Sequence, residues 1–188
     1  MMNRARIEEA VSAILQALGE DTSREGLRQT PRRVAEMFAE VLDGMGRDPV
    51  EALSTAFEEE RYEGAVVLRD IPFFSLCEHH LLPFYGRAHI GYIPGAKIAG
   101  VSKLARALDT LSHRLQLQER LTEQLAAAIF EALEPDGVAV VLEAEHLCMM
   151  MRGVKKEGSL VVTSAVRGPF RKRHPGREGL LAMLGRGV

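Results

Sequence analysis

Two short segments of the chain carry the residue types that bind transition metals. Cys77, His79 and His80 lie within four positions of one another, and His146 and Cys148 follow farther along the chain. The sequence contains 2 cysteines and 6 histidines in all, so these segments hold both cysteines. Because zinc favours thiolate and imidazole ligands, the pairing predicts a zinc site.

The residues alone leave the ligand set open. Two ligands from each segment would close a structural zinc site, whereas three ligands and a water would make a catalytic one. We expect Cys77 and His80 to reach one ion from a single turn. If the second segment is a strand, His146 and Cys148 share one of its faces. A three-ligand site would leave one histidine, together with His79, for acid–base chemistry.

The two cysteines also admit simpler interpretations. Cys77 and Cys148 could form a disulfide, or could be small buried side chains without a chemical role. The isolated histidines, His89, His113 and His174, are expected to be ordinary core or surface residues outside the site.

Composition limits the class of protein. The chain has 188 residues, of which 46% are hydrophobic and 27% charged, which is typical of one globular domain or of one domain with an appendage. A net charge of −2 gives no reason to expect nucleic-acid or membrane binding. We find no signal-like or long apolar segment, so the expected location is cytoplasmic.

The N-terminal part is predicted to be a helical extension. Helical spacing of apolar residues predicts a helix over 4–19 and a second one that begins at Thr30-Pro31, with Thr30 as its N-cap. Residues 47–63 are acidic and weakly patterned, which is typical of a linker. We therefore divide the chain into an extension with linker, 1–60, and a main domain, 61–188.

The main domain is predicted to be α+β. Patterning indicates strands over 65–68, 87–93, 138–148 and 159–166, with helices over 104–115 and 121–133 between the second and third. This order, β-β-α-α-β-β, favours an antiparallel four-stranded sheet with the helix pair on one face. Glu143 and Glu145 would lie on the other face. Residues 170–178 are basic, and a short helix is expected over 179–184.

Longer motifs resemble one enzyme family, GTP cyclohydrolase I. They include Thr-Pro-Arg-Arg at 30–33 and, in the order and spacing of the family, Ser-Leu-Cys-Glu-His-His at 75–80, the Gly and Tyr-Ile-Pro at 86–94, Val-Ser-Lys-Leu-Ala-Arg at 101–106, Gln-Leu-Gln-Glu-Arg-Leu-Thr at 116–122 and His-Leu-Cys-Met-Met-Met-Arg-Gly at 146–153. The resemblance spans residues from about 30 to 170.

The resemblance implies a ligand set and a reaction. Zinc would be held by Cys77, His80 and Cys148, with water in the fourth position, which leaves His79 and His146 as acid–base groups. GTP and water would give 7,8-dihydroneopterin triphosphate and formate, the first step of folate and pterin biosynthesis. The expected course is attack of the zinc-bound water at carbon 8 of guanine, ring opening, deformylation, an Amadori-type rearrangement and ring closure.

The resemblance also implies the substrate contacts. Glu119 would accept hydrogen bonds from the guanine ring, with Gln118 beside it, and Ser102 would contact the ribose. The positive charges that would hold the triphosphate are Lys103, Arg106, Arg152 and Arg33.

The family fold is the tunnelling fold, and its members are homodecamers of two stacked pentamers with active sites between subunits. Two alternatives remain. One is another tunnelling-fold enzyme that acts on a purine-like or pterin-like substrate. The other is a non-catalytic protein in which Cys77 and Cys148 form a disulfide.

Overall fold

The computed structural model describes residues 2–54, 56–57, 62–168 and 182. The predicted basic segment at 170–178, His174 and, apart from Ala182, the predicted helix at 179–184 lie outside these residues. Contacts divide the chain into two compact units, Met1–Asp43 and Gly44–Val188. Among the described residues, no helix combines the length and the apolar character needed to span a membrane.

In chain order the elements are α1 (Arg4–Ala17), α2 (Thr30–Val41), α3 (Pro49–Leu53), β1 (Ala56–Phe57), β2 (Val66–Cys77), β3 (Pro83–Ile93), β4 (Ile98–Ala99), α4 (Val101–Ser112), β5 (Leu115–Gln116), α5 (Gln118–Leu133), β6 (Gly137–His146), α6 (Leu147–Met150) and β7 (Leu160–Arg167).

The first unit contains the two predicted helices, α1 and α2. The side chain of Asn3 caps α1 by accepting a hydrogen bond from the Arg6 backbone N–H. The N-cap position of α2 is Gln29, which contributes no side-chain hydrogen bond. The expectation that Thr30 caps this helix was therefore wrong: its hydroxyl donates to the Gly26 carbonyl instead, at 3.3 Å.

The second unit is built on a mixed sheet of five strands in the order β5-β2-β3-β6-β7. Strands β2, β3, β6 and β7 are antiparallel neighbours, as the sequence predicts. The two-residue strand β5 adds to β2 in parallel, so the sheet has five strands and is mixed, in place of the predicted antiparallel four-stranded sheet. The α+β class was correct. Strands β1 and β4 form a separate antiparallel pair.

The core lies between one face of this sheet and helices α3, α4 and α5. Burial follows the helical period, which places one apolar stripe of each long helix against the sheet. The fully buried side chains include Leu104, Leu108, Leu121, Leu125, Ile129, Phe84 and Ile90. Helix α3 adds Leu53, which is 1% exposed, so part of the expected linker belongs to the core.

Two strands end differently from their predicted bounds. Strand β2 continues from Val66 to Cys77, although a bulge between Leu68 and Ile71 interrupts its alternation. At the bulge Asp70 has a positive φ of 57°. Strand β6 ends at His146, and helix α6 follows. The prediction that the strand reaches Cys148 was therefore wrong.

The opposite face of the sheet, which we call the open face, is partly polar. The strand register aligns Phe74, Tyr85, Glu145 and Leu160 in one row across β2, β3, β6 and β7. The next row contains Pro72, Arg87, Glu143 and Val162. Glu143 and Glu145 thus lie on the predicted face.

Candidate functional site

Cys77, His80 and Cys148 meet at one end of the sheet. Cys77 is the last residue of β2, His80 lies in the turn that follows, and Cys148 belongs to α6. Their potential ligand atoms all lie within 4.8 Å of one another. Two thiols and an imidazole are a donor set that zinc prefers, and three protein ligands would leave a fourth position for water. The residues therefore fit a zinc ion.

The turn after β2 is held by its own backbone. The Cys77 N–H donates to the Leu82 carbonyl at 2.9 Å, and the Cys77 carbonyl accepts from Leu81 at 2.9 Å and from His80 at 3.3 Å. Leu81 has a positive φ of 55°. These bonds bring the His80 ring back toward the strand end, where Nδ1 lies 3.9 Å from the Cys77 sulfur.

The two thiols lie close enough to affect each other electrostatically. Burial raises the pKa of the Cys148 thiol, and the neighbouring Cys77 raises it further. Two adjacent thiolates are unfavourable without a cation between them. A bound divalent metal would stabilise both, which is why metal affinity and thiol deprotonation are coupled.

Two further predicted residues lie next to this group. The ring of His79 is 6.1 Å from the ring of His80, nearly perpendicular to it, and is exposed to solvent. The guanidinium Nη1 of Arg152 lies 3.1 Å from His80 Nε2. A candidate proton carrier and a candidate phosphate ligand are thus adjacent to the potential metal ligands.

His146 is held between an aromatic ring and an amide. It is the last residue of β6, and its ring stacks on Phe84 with centroids 4.7 Å apart and planes at 3°. Its Nε2 lies 2.7 Å from Gln118 Oε1. Burial lowers the pKa of His146, while the negative charge of Glu119 raises it. The surroundings favour the neutral imidazole.

Glu119 and Gln118 are adjacent in sequence, but their surroundings differ. Glu119 is exposed in the first turn of α5, where the helix dipole stabilises a carboxylate. Gln118 is 1% exposed, and its amide group contacts protein atoms from β6 and β7. Glu119 is therefore open to a ligand, whereas the side chain of Gln118 is engaged within the protein.

The other predicted substrate residues lie on two helices. Ser102, Lys103 and Arg106 are in the first two turns of α4, where Ser102 and Arg106 are exposed and Lys103 is half-buried. Among the described residues, no hydrogen bond or ion pair joins them to the Cys–His group. Arg33 is exposed at the start of α2, in the first unit.

No role for Glu78 was predicted from the sequence, and its partner, Arg120, was missed. The Arg120 guanidinium donates through Nη2 to the Glu78 carboxylate and to the Leu115 carbonyl, the latter at 3.1 Å. Its Nε donates to Gln116 at 2.9 Å. The Arg120 hydrogen bond lowers the pKa of Glu78. This ion pair ties the ligand-bearing turn to the first turn of α5.

His89 and His113 lie apart from the site residues. His89 is 5% exposed, and its Nδ1 accepts a hydrogen bond from the Asp70 N–H at 3.2 Å. A groove of about 520 Å³ on the open face has His89, Phe74, Tyr85 and Arg87 among its lining residues. His113 follows the last residue of α4. That neither histidine takes part in the site stays a prediction.

Comparisons with known proteins point to one family. The family model described as GTP cyclohydrolase I matches residues 7–185. The chain is 54% identical over 184 residues to GTP cyclohydrolase 1 of Halalkalibacterium halodurans, covering 97% of each chain. It is 55% identical over 186 residues to GTP cyclohydrolase 1 of Carboxydothermus hydrogenoformans, covering 98% of this chain and 96% of that protein. A solved archaeosine synthase QueF-Like structure is 18% identical, with a TM-score of 0.44 over 57% of this chain and 97% of that one.

Proposed function

The chain belongs to the GTP cyclohydrolase I family, and on that premise we propose that it converts GTP and water to 7,8-dihydroneopterin triphosphate and formate. The observation that carries the proposal is the convergence of Cys77, His80 and Cys148 within 4.8 Å. His146 lies two residues from one of these groups, and the exposed Glu119 acts on its charge. The metal ligands, the acid–base group His146 and the purine-binding carboxylate of Glu119 would thus share one site.

Cys77, His80 and Cys148 would hold zinc. When bound there, the ion would supply Lewis-acid chemistry that makes water nucleophilic near neutral pH. The burial of Cys77, the half-burial of Cys148 and the exposure of His80 would place the ion at the protein surface, where a substrate has access to it.

His146 and His79 are proposed as the groups that move protons. His146 would take up a proton and, in its protonated form, donate it to nitrogen 7 of guanine, which makes carbon 8 electrophilic. Its parallel stacking on Phe84 fixes the plane of the ring and so the direction in which it can donate. His79 is exposed beside His80, and it would carry protons in the later steps of ring opening and closure.

Glu119 is proposed to recognise guanine. A carboxylate that accepts from the ring N–H and the exocyclic amine of guanine would be left without donors by adenine, which disfavours ATP. Ser102 would contact the ribose. The positive charges of Lys103, Arg106, Arg152 and Arg33 would bind the triphosphate, for which the planar guanidinium is suited.

We also propose the tunnelling fold, a homodecamer of two stacked pentamers and a cytoplasmic location. The mixed sheet with its helices on one face is compatible with that fold. Assembly would explain why Phe74, Leu160 and Val162 on the open face remain more than half exposed in the single chain.

The experiment that tests the function is incubation of the zinc-loaded protein with GTP. Released formate and a fluorescent pterin, formed after oxidation of the product, should appear in equal amounts. Formate without pterin would indicate an enzyme that opens the ring but does not complete the rearrangement. The absence of both products, with zinc bound, would contradict the proposal.

A further inference from the structure

The amide of Gln118, at the first position of α5, contacts two strands, β6 and β7. Its Nε2 lies 2.8 Å from the Val161 carbonyl and 3.1 Å from the Leu142 carbonyl. Its Oε1 lies 2.7 Å from His146 Nε2. With 1% of the residue exposed, this group has no water to replace a lost partner, so every hydrogen bond must be satisfied by the protein.

The partners of Gln118 determine which way its amide points. Carbonyl oxygens only accept hydrogen bonds, so the group that faces Val161 and Leu142 must be the NH₂. A flipped amide would place an oxygen against two carbonyl oxygens with no hydrogen between them. The oxygen of the amide therefore faces His146.

The two threonines beside Gln118 agree with this orientation. The Thr122 hydroxyl lies 2.7 Å from the Gln118 backbone carbonyl and must donate to it. Thr163 Oγ1, 2.6 Å from Thr122 Oγ1, must then be the donor of that pair. Its lone pairs remain available to Gln118 Nε2, at 3.2 Å. Each hydroxyl hydrogen has one acceptor, and no donor opposes another donor.

This orientation determines the tautomer of His146. An amide oxygen can only accept, so His146 Nε2 must carry a hydrogen. The ring therefore has its proton on Nε2 in the neutral state, and Nδ1 keeps the lone pair. Among the side-chain hydrogen bonds of the described residues, the His146 ring takes part through Nε2 alone. The stacking on Phe84 fixes the plane in which Nδ1 lies.

We propose that Gln118 is a positioning residue that holds His146 in the Nε2–H tautomer, so that Nδ1 is the nitrogen presented to the substrate. The inference rests on the proposed function, in which His146 is an acid–base group. It gives the Gln118 side chain a different role from the guanine contact that the sequence suggested, because both ends of its amide are already engaged within the protein.

The direct test is nitrogen-15 NMR of the zinc-loaded protein labelled at histidine, in the solid state to tolerate a large assembly. His146 is assigned by the signal lost in His146→Gln. At a pH about two units above the ordinary histidine pKa of about 6.5, we expect His146 to show a protonated Nε2 and an unprotonated Nδ1. A protonated Nδ1 in the neutral ring would overturn the proposal. This measurement requires no turnover, so it is independent of whether GTP is the substrate.

Gln118→Leu tests the positioning by kinetics. Loss of the acceptor should mix the two tautomers and lower kcat about 10- to 100-fold, the usual cost of losing such an orienting partner, with KM for GTP changed less than about threefold. A direct guanine contact predicts the opposite split: raised KM, near-normal kcat and an unchanged tautomer. That result would reject the proposal. Rates are expressed per folded protein, because Leu142 and Val161 lose a donor in this variant.

Two controls separate positioning from general damage to the core. Gln116→Leu removes another glutamine that is 1% exposed, whose amide contacts Leu111, Gln124 and Arg120 rather than His146. Thr163→Val removes one contact of the Gln118 NH₂ but keeps both carbonyl partners. Both variants should keep the His146 tautomer of the unchanged protein. A tautomer shift in Gln116→Leu as large as that in Gln118→Leu would overturn the specific role of Gln118. If Gln118→Leu does not fold, the His146 tautomer is still measured in the unchanged protein and in Thr163→Val. A protonated Nδ1 in the neutral ring of either protein would overturn the proposal.

Discussion

At the scale of single residues, the proposed metal ligands can be distinguished from the proposed proton carriers by substitution. Cys148→Ser removes one of the two thiols from the group whose potential ligand atoms lie within 4.8 Å of one another, so zinc content and activity should fall together. His79→Ala removes an exposed ring beside His80, so zinc should stay bound while turnover falls about 10²- to 10⁴-fold. Metal analysis of reductant-treated protein and formate release measure the two effects.

The same experiment tests the disulfide alternative. Two free thiols per chain with less than about one zinc per chain would count against catalysis by this route, since it requires a three-ligand zinc site. If His79→Ala also emptied the site, the assignment of His79 as a free acid–base group would be wrong.

Glu119 is expected to control the choice of base. Glu119→Ala should weaken GTP binding about 10- to 100-fold, because a charged acceptor of two guanine hydrogen bonds is lost, and should leave inorganic triphosphate binding nearly unchanged. Calorimetry with both ligands measures the difference. The matched control is Glu123→Ala, which changes another exposed glutamate one turn farther along α5. Equal loss of both ligands in Glu119→Ala would remove its role in guanine recognition.

Cys77, His80 and Cys148 lie together, as the resemblance implies, but the elements that carry them were predicted less well. The argument that His146 and Cys148 share a strand face was wrong, because β6 ends at His146 and Cys148 lies in α6. The surroundings of Gln118 could not be predicted at all. Its partners, Leu142 and Val161, are 24 and 43 positions away, and hydrogen bonds between distant elements leave no periodic pattern in the sequence.

At the scale of elements, the ion pair of Glu78 and Arg120 is expected to hold the ligand-bearing turn against α5. Glu78→Gln keeps the shape of the side chain but removes its charge, and Arg120 then lacks its counter-ion. We expect the zinc dissociation constant to rise about tenfold, a typical effect of a group that orients metal ligands. Competition with a zinc chelator measures it.

A second Arg–Glu pair on the same helix provides the control for this prediction. Glu123 pairs with Arg167. The strand register places Arg167 opposite Val138, near the start of β6, whereas the site residue His146 lies at the other end of that strand. Glu123→Gln should therefore leave zinc affinity unchanged. Equal weakening in both variants would mean that loss of charge on α5, rather than the tie to the turn, is responsible.

Regular elements were predicted where one periodic pattern dominates. Helices α4 and α5 follow the apolar spacing closely, since each packs one stripe on the sheet. Strand β2 was predicted too short, because the bulge at Asp70 breaks its alternation. Helix α3 was missed, although Asp48 as N-cap and Pro49 in the first turn signal a helix start. Strand β5 has only two residues, too few for any pattern.

At the scale of the whole molecule, the edge strand of the sheet and its exposed apolar side chains favour association with other copies of the chain. Among the described residues, β7 is the last strand of the sheet, and an edge strand can pair with another chain. Leu160 and Val162 on its open face are each 52% exposed, and Phe74 is 65% exposed. A single sequence does not predict assembly, because the residues that contact another chain have the same patterning as those on a solvent-facing sheet.

Two valine variants test whether this face forms the proposed subunit contacts. Val162→Lys places a charge on the open face next to Glu143, its register partner on β6. If the face is buried between subunits, removing the new ammonium from water is unfavourable even beside a carboxylate, so the assembly should dissociate to smaller species. Light scattering coupled to size-exclusion chromatography measures the mass, and activity should fall with it if the sites lie between subunits.

Val154→Lys makes the same substitution at a valine that is 62% exposed in the loop between α6 and β7, outside the strands that form the open face. It should keep the mass and the thermal stability of the unchanged protein, because the added charge stays in water there. Dissociation in both variants would show a general effect of added charge on the assembly. An unchanged mass in Val162→Lys, with the chain folded, would place the subunit contacts on a different surface, since an interface core does not accept a new buried charge without loss of affinity.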